Sequence, residues 1–286
     1  MVTKTLRLAV TVIACLAAPT WSFINPPSTP AVNQAHPHYM FFADEMQQQE
    51  TPSLRIAALD GNEDSIRKAA AFMIDAFWLQ SPQAQIPDVT AEAKTSLIAS
   101  QANDLWDKYG ERMGKRKLDA IILSAADKDD ADFLGLLTIE VRLLDSISKQ
   151  ILNAEKSEFM LNNAISSLGP KQRREYKDAS VIDVTNALLP PEISAVCSLS
   201  NLCVSTNARR RGIAAKLCKE AESLAKELGF DEMHLCVEVE NEAASMLYKE
   251  KLGYGIKFET MSKSLRVNGG EFVEIDSEIA IMSKKI

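Results

Sequence analysis

The chain reads as an α+β (α/β) protein: one mixed, mostly antiparallel sheet of about six to seven strands, with helices on both faces. Two apolar, strand-like runs at 120–125 and 133–144 flank the polar turn from Asp127 to Asp130, which is the pattern of a β-hairpin. Further on, strand-length apolar runs alternate with helical periodicity. A strand is expected at 195–204, a helix at 211–228, a strand at 232–239 and a helix at 243–251. Two more strands, around 256–261 and 272–282, close the chain.

Ahead of the hairpin, residues 54–59 alternate like a strand and Asp60-Gly61-Asn62 turn the chain. Asp64 or Ser65 can cap a helix that carries Ile66, Ala69, Ala70, Met73, Ile74 and Phe77 at helical spacing. A second helix is expected over 91–109. Residues 146–194 read as an insertion, with one loosely amphipathic helix built on Ile147, Ile151, Phe159, Leu161 and Ile165 and ended near Gly169-Pro170. The basic group Lys171, Arg173, Arg174 and Lys177 follows, and a solvated face is its expected role.

The first 52 residues look different. Lys4 and Arg7 precede an apolar run over 8–18, and small residues follow at Ala17, Ala18 and Ser22, so 1–22 has the plan of a secretory signal. The run is too short to span a bilayer comfortably, so a cleaved segment is expected, leaving no stable membrane anchor. Residues 23–52 are rich in Pro, Gln, Ser and Asn with no hydrophobic period, as in a disordered transit segment or linker. The folded domain is expected over 53–286.

Lys and Arg number 32 against 39 Asp and Glu, a formal charge of -7, which gives no long-range attraction for nucleic acid. An acidic surface permits an amine-bearing substrate. The five cysteines form no C-x-x-C pair and there are only three histidines, so no metal site is expected. Cys203 and Cys236 fall in apolar runs, where buried free thiols are expected, as in a reducing compartment.

The chemistry is concentrated in LSNLCVSTNARRRGIAAKL, which starts at Leu199. An apolar strand ends at Val204, a polar loop follows, and a helix opens near Arg211. Helix N-termini expose unpaired N–H groups and partial positive charge, which suits phosphate. Gly212 removes a side chain where a ligand must come close, Ala214 keeps the next turn small, and Arg209, Arg210 and Arg211 add fixed charge. The segment reads as an anion site of pyrophosphate type.

Arg209-x-x-Gly212-x-Ala214 resembles the Arg/Gln-x-x-Gly-x-Gly/Ala signature of the GNAT superfamily of N-acetyltransferases. Asn241, Ala244, Tyr248, Gly253 and Tyr254 are similar to the family's second element, N-x-x-A-x-x-L-Y-x-x-x-G-F/Y, with one residue more between Tyr248 and Gly253. The resemblance implies the GNAT fold, with a splayed strand pair holding acetyl-CoA as co-substrate. It also implies that the amides of Arg210, Arg211, Gly212, Ile213 and Ala214 wrap the pyrophosphate. The main chain of Leu202, Cys203 and Val204 would pair with the pantetheine arm, Asn241 would fix the second half of the site, and Tyr248 would protonate the leaving thiolate.

A base must deprotonate the amine. Some family members place a Glu twelve residues before the tyrosine, where this chain has Cys236. Strand alternation puts Cys236, Glu238 and Glu240 on one face, which makes Glu238 the first candidate base, with Glu240 and Glu140 behind it.

The NVCV-like strand end, the Ala-Arg-Arg-x-Gly-Ile run and the leader resemble plant and algal chloroplast GNAT enzymes. That implies acetylation of protein Lys side chains, N-terminal α-amines or both, by a monomer or homodimer. A small-molecule amine acetyltransferase (polyamine, amino acid or arylamine) and a non-catalytic acyl-CoA-binding module are the alternatives. Ala18-Pro19-Thr20-Trp21-Ser22-Phe23 is similar to the signal-plus-transit leaders of algae with secondary plastids, so plastid delivery is expected, with the secretory pathway as the alternative.

Overall fold

The computed structural model describes residues 54–79, 90–110, 118–127, 132–176, 178–268 and 271–286. Strand β1 (Leu54–Ala58) leads into helix α1 (Glu63–Ile74), whose apolar residues at helical spacing form its buried face. Its cap is Asn62, not Asp64 or Ser65. Asn62 holds extended backbone and its side chain accepts the Ser65 N–H at 2.9 Å. That leaves Glu63 and Asp64 in the first turn, where the helix's positive end favours them. A wider π turn follows over Asp75–Leu79, and α2 (Ala91–Tyr109) is capped by Thr90.

The predicted hairpin is β2 (Ala120–Asp127) with β3 (Gly135–Asp145), in register from Ala120↔Glu140 to Ala125↔Gly135. Residues 128–131 of its turn lie outside the described residues. Every residue of β3 up to Leu144 is buried, because helices cover both faces of the sheet there. A Cβ on Gly135 would come within 3.1 Å of Cys203 O and of the Ile213 and Leu217 side chains, so this glycine permits a close approach.

The insertion departs from the single helix expected. Ile147 lies in a turn whose N–H groups, at Ile147 and Ser148, bond the Asp145 carboxylate at 2.9 and 3.2 Å. Strand β4 (Gln150–Ile151) then folds back on the end of β3, and α3 (Ala154–Ser166) starts only after the Asn153 cap. Pro170 opens α4 (Pro170–Glu175), because its missing N–H and fixed φ suit a first helical position. Lys171, Arg173 and Arg174 are exposed on α4, as a solvated face would be, while Lys177 lies outside the described residues. Helix α5 (Val181–Leu188) returns the chain to the sheet.

Next come β5 (Ile193–Val204), α6 (Ile213–Glu227), β6 (Glu232–Glu238) and α7 (Glu242–Met246), which widens into a π turn over Leu247–Lys251. The closing strands, β7 (Gly255–Asn268) and β8 (Glu271–Lys285), are longer than their apolar runs, since polar cross-strand pairs such as Ser262↔Ser277 extend them. The strand order is β1-β2-β3-β5-β6-β8-β7, with β4 beside β3, and all these pairs are antiparallel except β5 with β6. One strand more than the expected count is the two-residue β4. The architecture is the expected mixed, mostly antiparallel sheet with helices on both faces. The sheet separates two cores. Residues of α6, α3 and α5 pack on one face, among them Leu217, Leu161 and Val184, and residues of α1 and α2 on the other, among them Ile74 and Leu105.

Candidate active site

The site begins where the sheet opens. β5 and β6 pair only from Cys197↔Met233 to Leu199↔Leu235, after which each runs on, to Val204 and to Glu238. At the parting point β5 is irregular: its register against β3 shifts between Leu136 and Thr138, and Asn201 holds φ at 51°. A bulge bends its strand and raises the local twist, which swings β5 away from β6. The gap opens into a cavity of about 360 Å³.

One wall of the cavity is the start of α6. Gly212 is its N-cap at φ 77°, so the helix begins at Ile213 and all three arginines precede it. No side chain caps the helix, so its first N–H groups remain available to a ligand. Arg210 is also left-handed, at φ 66°, and left-handed residues spaced this way gather successive N–H groups around an anion. A Cβ on Gly212 would meet nothing within 4 Å, so the glycine serves the backbone angle and leaves open space beside it.

The arginines divide their work. Arg209 lines the cavity; its Nε donates to Val204 O at 3.3 Å and its Nη2 is buried without a partner among the described residues. Arg210, Ile213 and Ala214 line the cavity too. Arg211 turns outward to Asp127 of β2 at 3.2 Å. An orphaned guanidinium nitrogen, a left-handed turn and an uncapped helix start suit a phosphate-bearing ligand. On β5, Leu202 and Val204 face the cavity, whereas Cys203 packs into the α1–α2 core.

The opposite wall lies under the end of α2. Thr138, Glu140 and Arg142 alternate onto this face of β3. Glu140 accepts a hydrogen bond from the Tyr109 hydroxyl and pairs with Arg142, while Lys108 pairs with Asp104 at 2.7 Å. Burial lowers the pKa of Arg142 and of Lys108 and raises that of the Tyr109 phenol. Ser198, Ser200 and the insertion residues Ile151 and Leu152 complete the wall.

Tyr248 lines the cavity from the π turn after α7 and is 6% exposed. Its ring meets that of Tyr254 edge to face, centroids 5.9 Å apart. Tyr254 is anchored in turn: its hydroxyl donates to Glu222 at 3.2 Å, and Lys284 holds the same carboxylate at 2.8 Å. A π turn inside a helix displaces one side chain from the regular spacing, a device common at functional positions.

Four expectations need correction. Glu238 does not line the cavity; Arg266 holds it through both carboxylate oxygens at 2.9 and 2.8 Å. Glu240 lies past the end of β6 and is exposed, which leaves Glu140 as the candidate base on the wall. Asn241 is also absent from the lining. Its Oδ1 caps α7 at Ala244 N (3.1 Å) and so positions Ala243 and Ala244, which are part of the lining. Cys236 is at the cavity wall rather than in the core, and burial pushes its thiol up to about 12, so it carries no charge at neutral pH. Sequence reading missed Lys108, Arg142 and Asn201; a lone Asn inside an apolar strand end was the one usable signal.

Residues 181–254 match the model of the Acetyltransferase (GNAT) family. That span holds the opened strand, the Arg209–Ala214 loop and Tyr248. That segment is therefore similar to the GNAT acetyltransferases, and with the site just described it supports acetyl transfer as the activity. No curated protein matches the chain in sequence. Solved structures similar to it include the PaiA N-acetyltransferase of Thermoplasma acidophilum in complex with coenzyme A, at 14% identity and TM-score 0.44, over 82% of this chain and 99% of that one. Arylalkylamine N-acetyltransferase 2 of Aedes aegypti aligns at 17% identity and TM-score 0.42, over 81% and 98%. NAA60 of Arabidopsis thaliana, in complex with acetyl-CoA, aligns at 15% and 0.41, over 80% and 97%.

Proposed function

We propose that the protein transfers the acetyl group of acetyl-CoA to primary amines of proteins, Lys side chains and N-terminal α-amines, in a plastid. The observation that carries the transfer chemistry is one continuous cavity. It joins the phosphate-type loop at Arg209 and Gly212, through the gap between β5 and β6, to the wall that bears Glu140. Acetyl-CoA supplies the acetyl group activated as a thioester.

The chain's own residues divide the reaction. The α6 start and Arg209 hold the pyrophosphate, and the unpaired edge of β5 from Leu202 to Val204 holds the pantetheine arm and polarises the thioester carbonyl through a main-chain N–H. Glu140 takes a proton from the amine as its nitrogen bonds to the carbonyl carbon. The C–S bond breaks, and Tyr248 gives its phenolic proton to the departing sulfur, to be reprotonated from water. Protein amines are favoured by the NVCV-like strand end and the Arg209–Ile213 run, and plastid delivery by the leader over 1–52, which lies outside the described residues.

Incubating the full chain with labelled acetyl-CoA tests this, with a peptide library beside a panel of polyamines, amino acids and arylamines. Label on peptide amines is expected; label on the metabolites alone would replace the protein reading with a small-molecule one.

A further inference from the structure

Asn201 is an unusual residue for its place. It interrupts an apolar strand end, is 6% exposed and holds a left-handed φ of 51°. Were only that backbone angle needed, glycine would supply it without steric cost. The side chain is itself pinned. Its Nδ2 donates to Thr138 Oγ1 at 3.1 Å, and Thr138 Oγ1 lies 2.8 Å from Ser200 Oγ. The other amide atom, Oδ1, is buried without a partner among the described residues. An amide oxygen removed from water and left without a donor destabilises the fold, so in a cavity wall it calls for a ligand donor.

The position says which donor. Thr138 and Glu140 share the face of β3 that lies under α2, whereas Ile213 and Tyr248 belong to the core on the opposite face. The Asn201 amide, tied to Thr138, is therefore on the Glu140 side of the gap, away from the phosphate-type loop. A carbonyl oxygen only accepts, so its partner carries an N–H or O–H.

Resting on the acetyltransferase reading above, we infer that Asn201 Oδ1 accepts a hydrogen bond from an N–H of the acceptor amine and aims the nitrogen lone pair through the gap. The bond makes the site selective for primary amines. A primary amine has two N–H groups: one proton leaves to Glu140 as the C–N bond forms, and the other stays on the product amide, facing Asn201. A secondary amine gives up its single N–H and leaves Oδ1 unpaired.

Two conjugates test this by calorimetry on the full chain: CoA joined through an acetyl bridge to a peptide lysine amine, and the same conjugate methylated on that nitrogen. Wild type is expected to bind CoA, and to prefer the N–H conjugate by about tenfold. Asn201→Gly keeps the left-handed backbone and is expected to bind CoA normally yet lose the preference; Asn201→Asp keeps the oxygen and retains it. Equal binding of the two conjugates by wild type, a preserved preference in Asn201→Gly, or weakened CoA binding in Asn201→Gly overturns the inference while leaving the acetyltransferase reading standing. Failure of wild type to bind CoA sinks that reading and this inference with it.

Discussion

Arg266 reaches from β7 to the end of β6 and grips both carboxylate oxygens of Glu238, at 2.9 and 2.8 Å. A bidentate guanidinium stabilises the carboxylate, and the pair lies off the cavity lining, so Glu238 ties β6 to β7 rather than facing an acceptor amine. Glu238→Gln is therefore expected to leave kcat within about twofold while costing about 1–3 kcal/mol of stability, the range for unpairing a buried charged hydrogen bond. Steady-state rates beside denaturant melts check both halves. A large fall in kcat at unchanged stability would return Glu238 to the chemistry.

Glu140 carries the opposite expectation. Glu140→Gln removes the proton acceptor on the α2 wall and should lower kcat/KM by roughly a hundredfold or more. Because the change also leaves Arg142 without its carboxylate, acetyl-CoA affinity and melting temperature need measuring beside the rates. Unchanged turnover would place the base elsewhere.

Tyr248→Phe should keep the edge-to-face contact with Tyr254 and lose only the hydroxyl. Turnover at saturating substrates is expected to drop by roughly a hundredfold with acetyl-CoA affinity intact. Full turnover would exclude Tyr248 as the acid.

Acid should destabilise the fold at His234 of β6. Burial holds His234 neutral and lowers its pKa from 6.5 to about 4, though Glu232 opposes the shift. Between those values the unfolded chain binds a proton that the folded chain does not, so stability rises with pH there. The contribution is complete above pH 6.5 and is lost as pH falls toward 4, at most about 3 kcal/mol. Denaturant melts at several pH values check this, and His234→Gln should flatten the slope.

Much of this was legible in the sequence because it is local. The strand–loop–helix order around Arg209 and the tyrosine after α7 each depend on neighbours within one or two turns, although the left-handed Gly212 starts α6 at Ile213, two residues past the expected Arg211. The rest depends on pairing between distant segments. Alternation puts Glu238 on one face with Cys236, yet nothing near Glu238 reveals that Arg266, 28 residues on, will claim it. Likewise Glu140 becomes a site residue only because α2 delivers Tyr109 to it from 31 residues upstream. In the insertion, Ile147 and Ile151 matched a helical period, but the Asp145 carboxylate captured the local N–H groups and turned the chain first.

Whether the Arg209–Ala214 loop holds the CoA pyrophosphate is most directly measured by calorimetric titration of acetyl-CoA into wild type and Gly212→Glu. The variant places a carboxylate in the open space beside the α6 N–H groups and strains a backbone held at φ 77°. Saturable one-to-one binding by wild type and none by a folded variant is the predicted result. Equal affinity in the two proteins, or no binding by wild type, would contradict it.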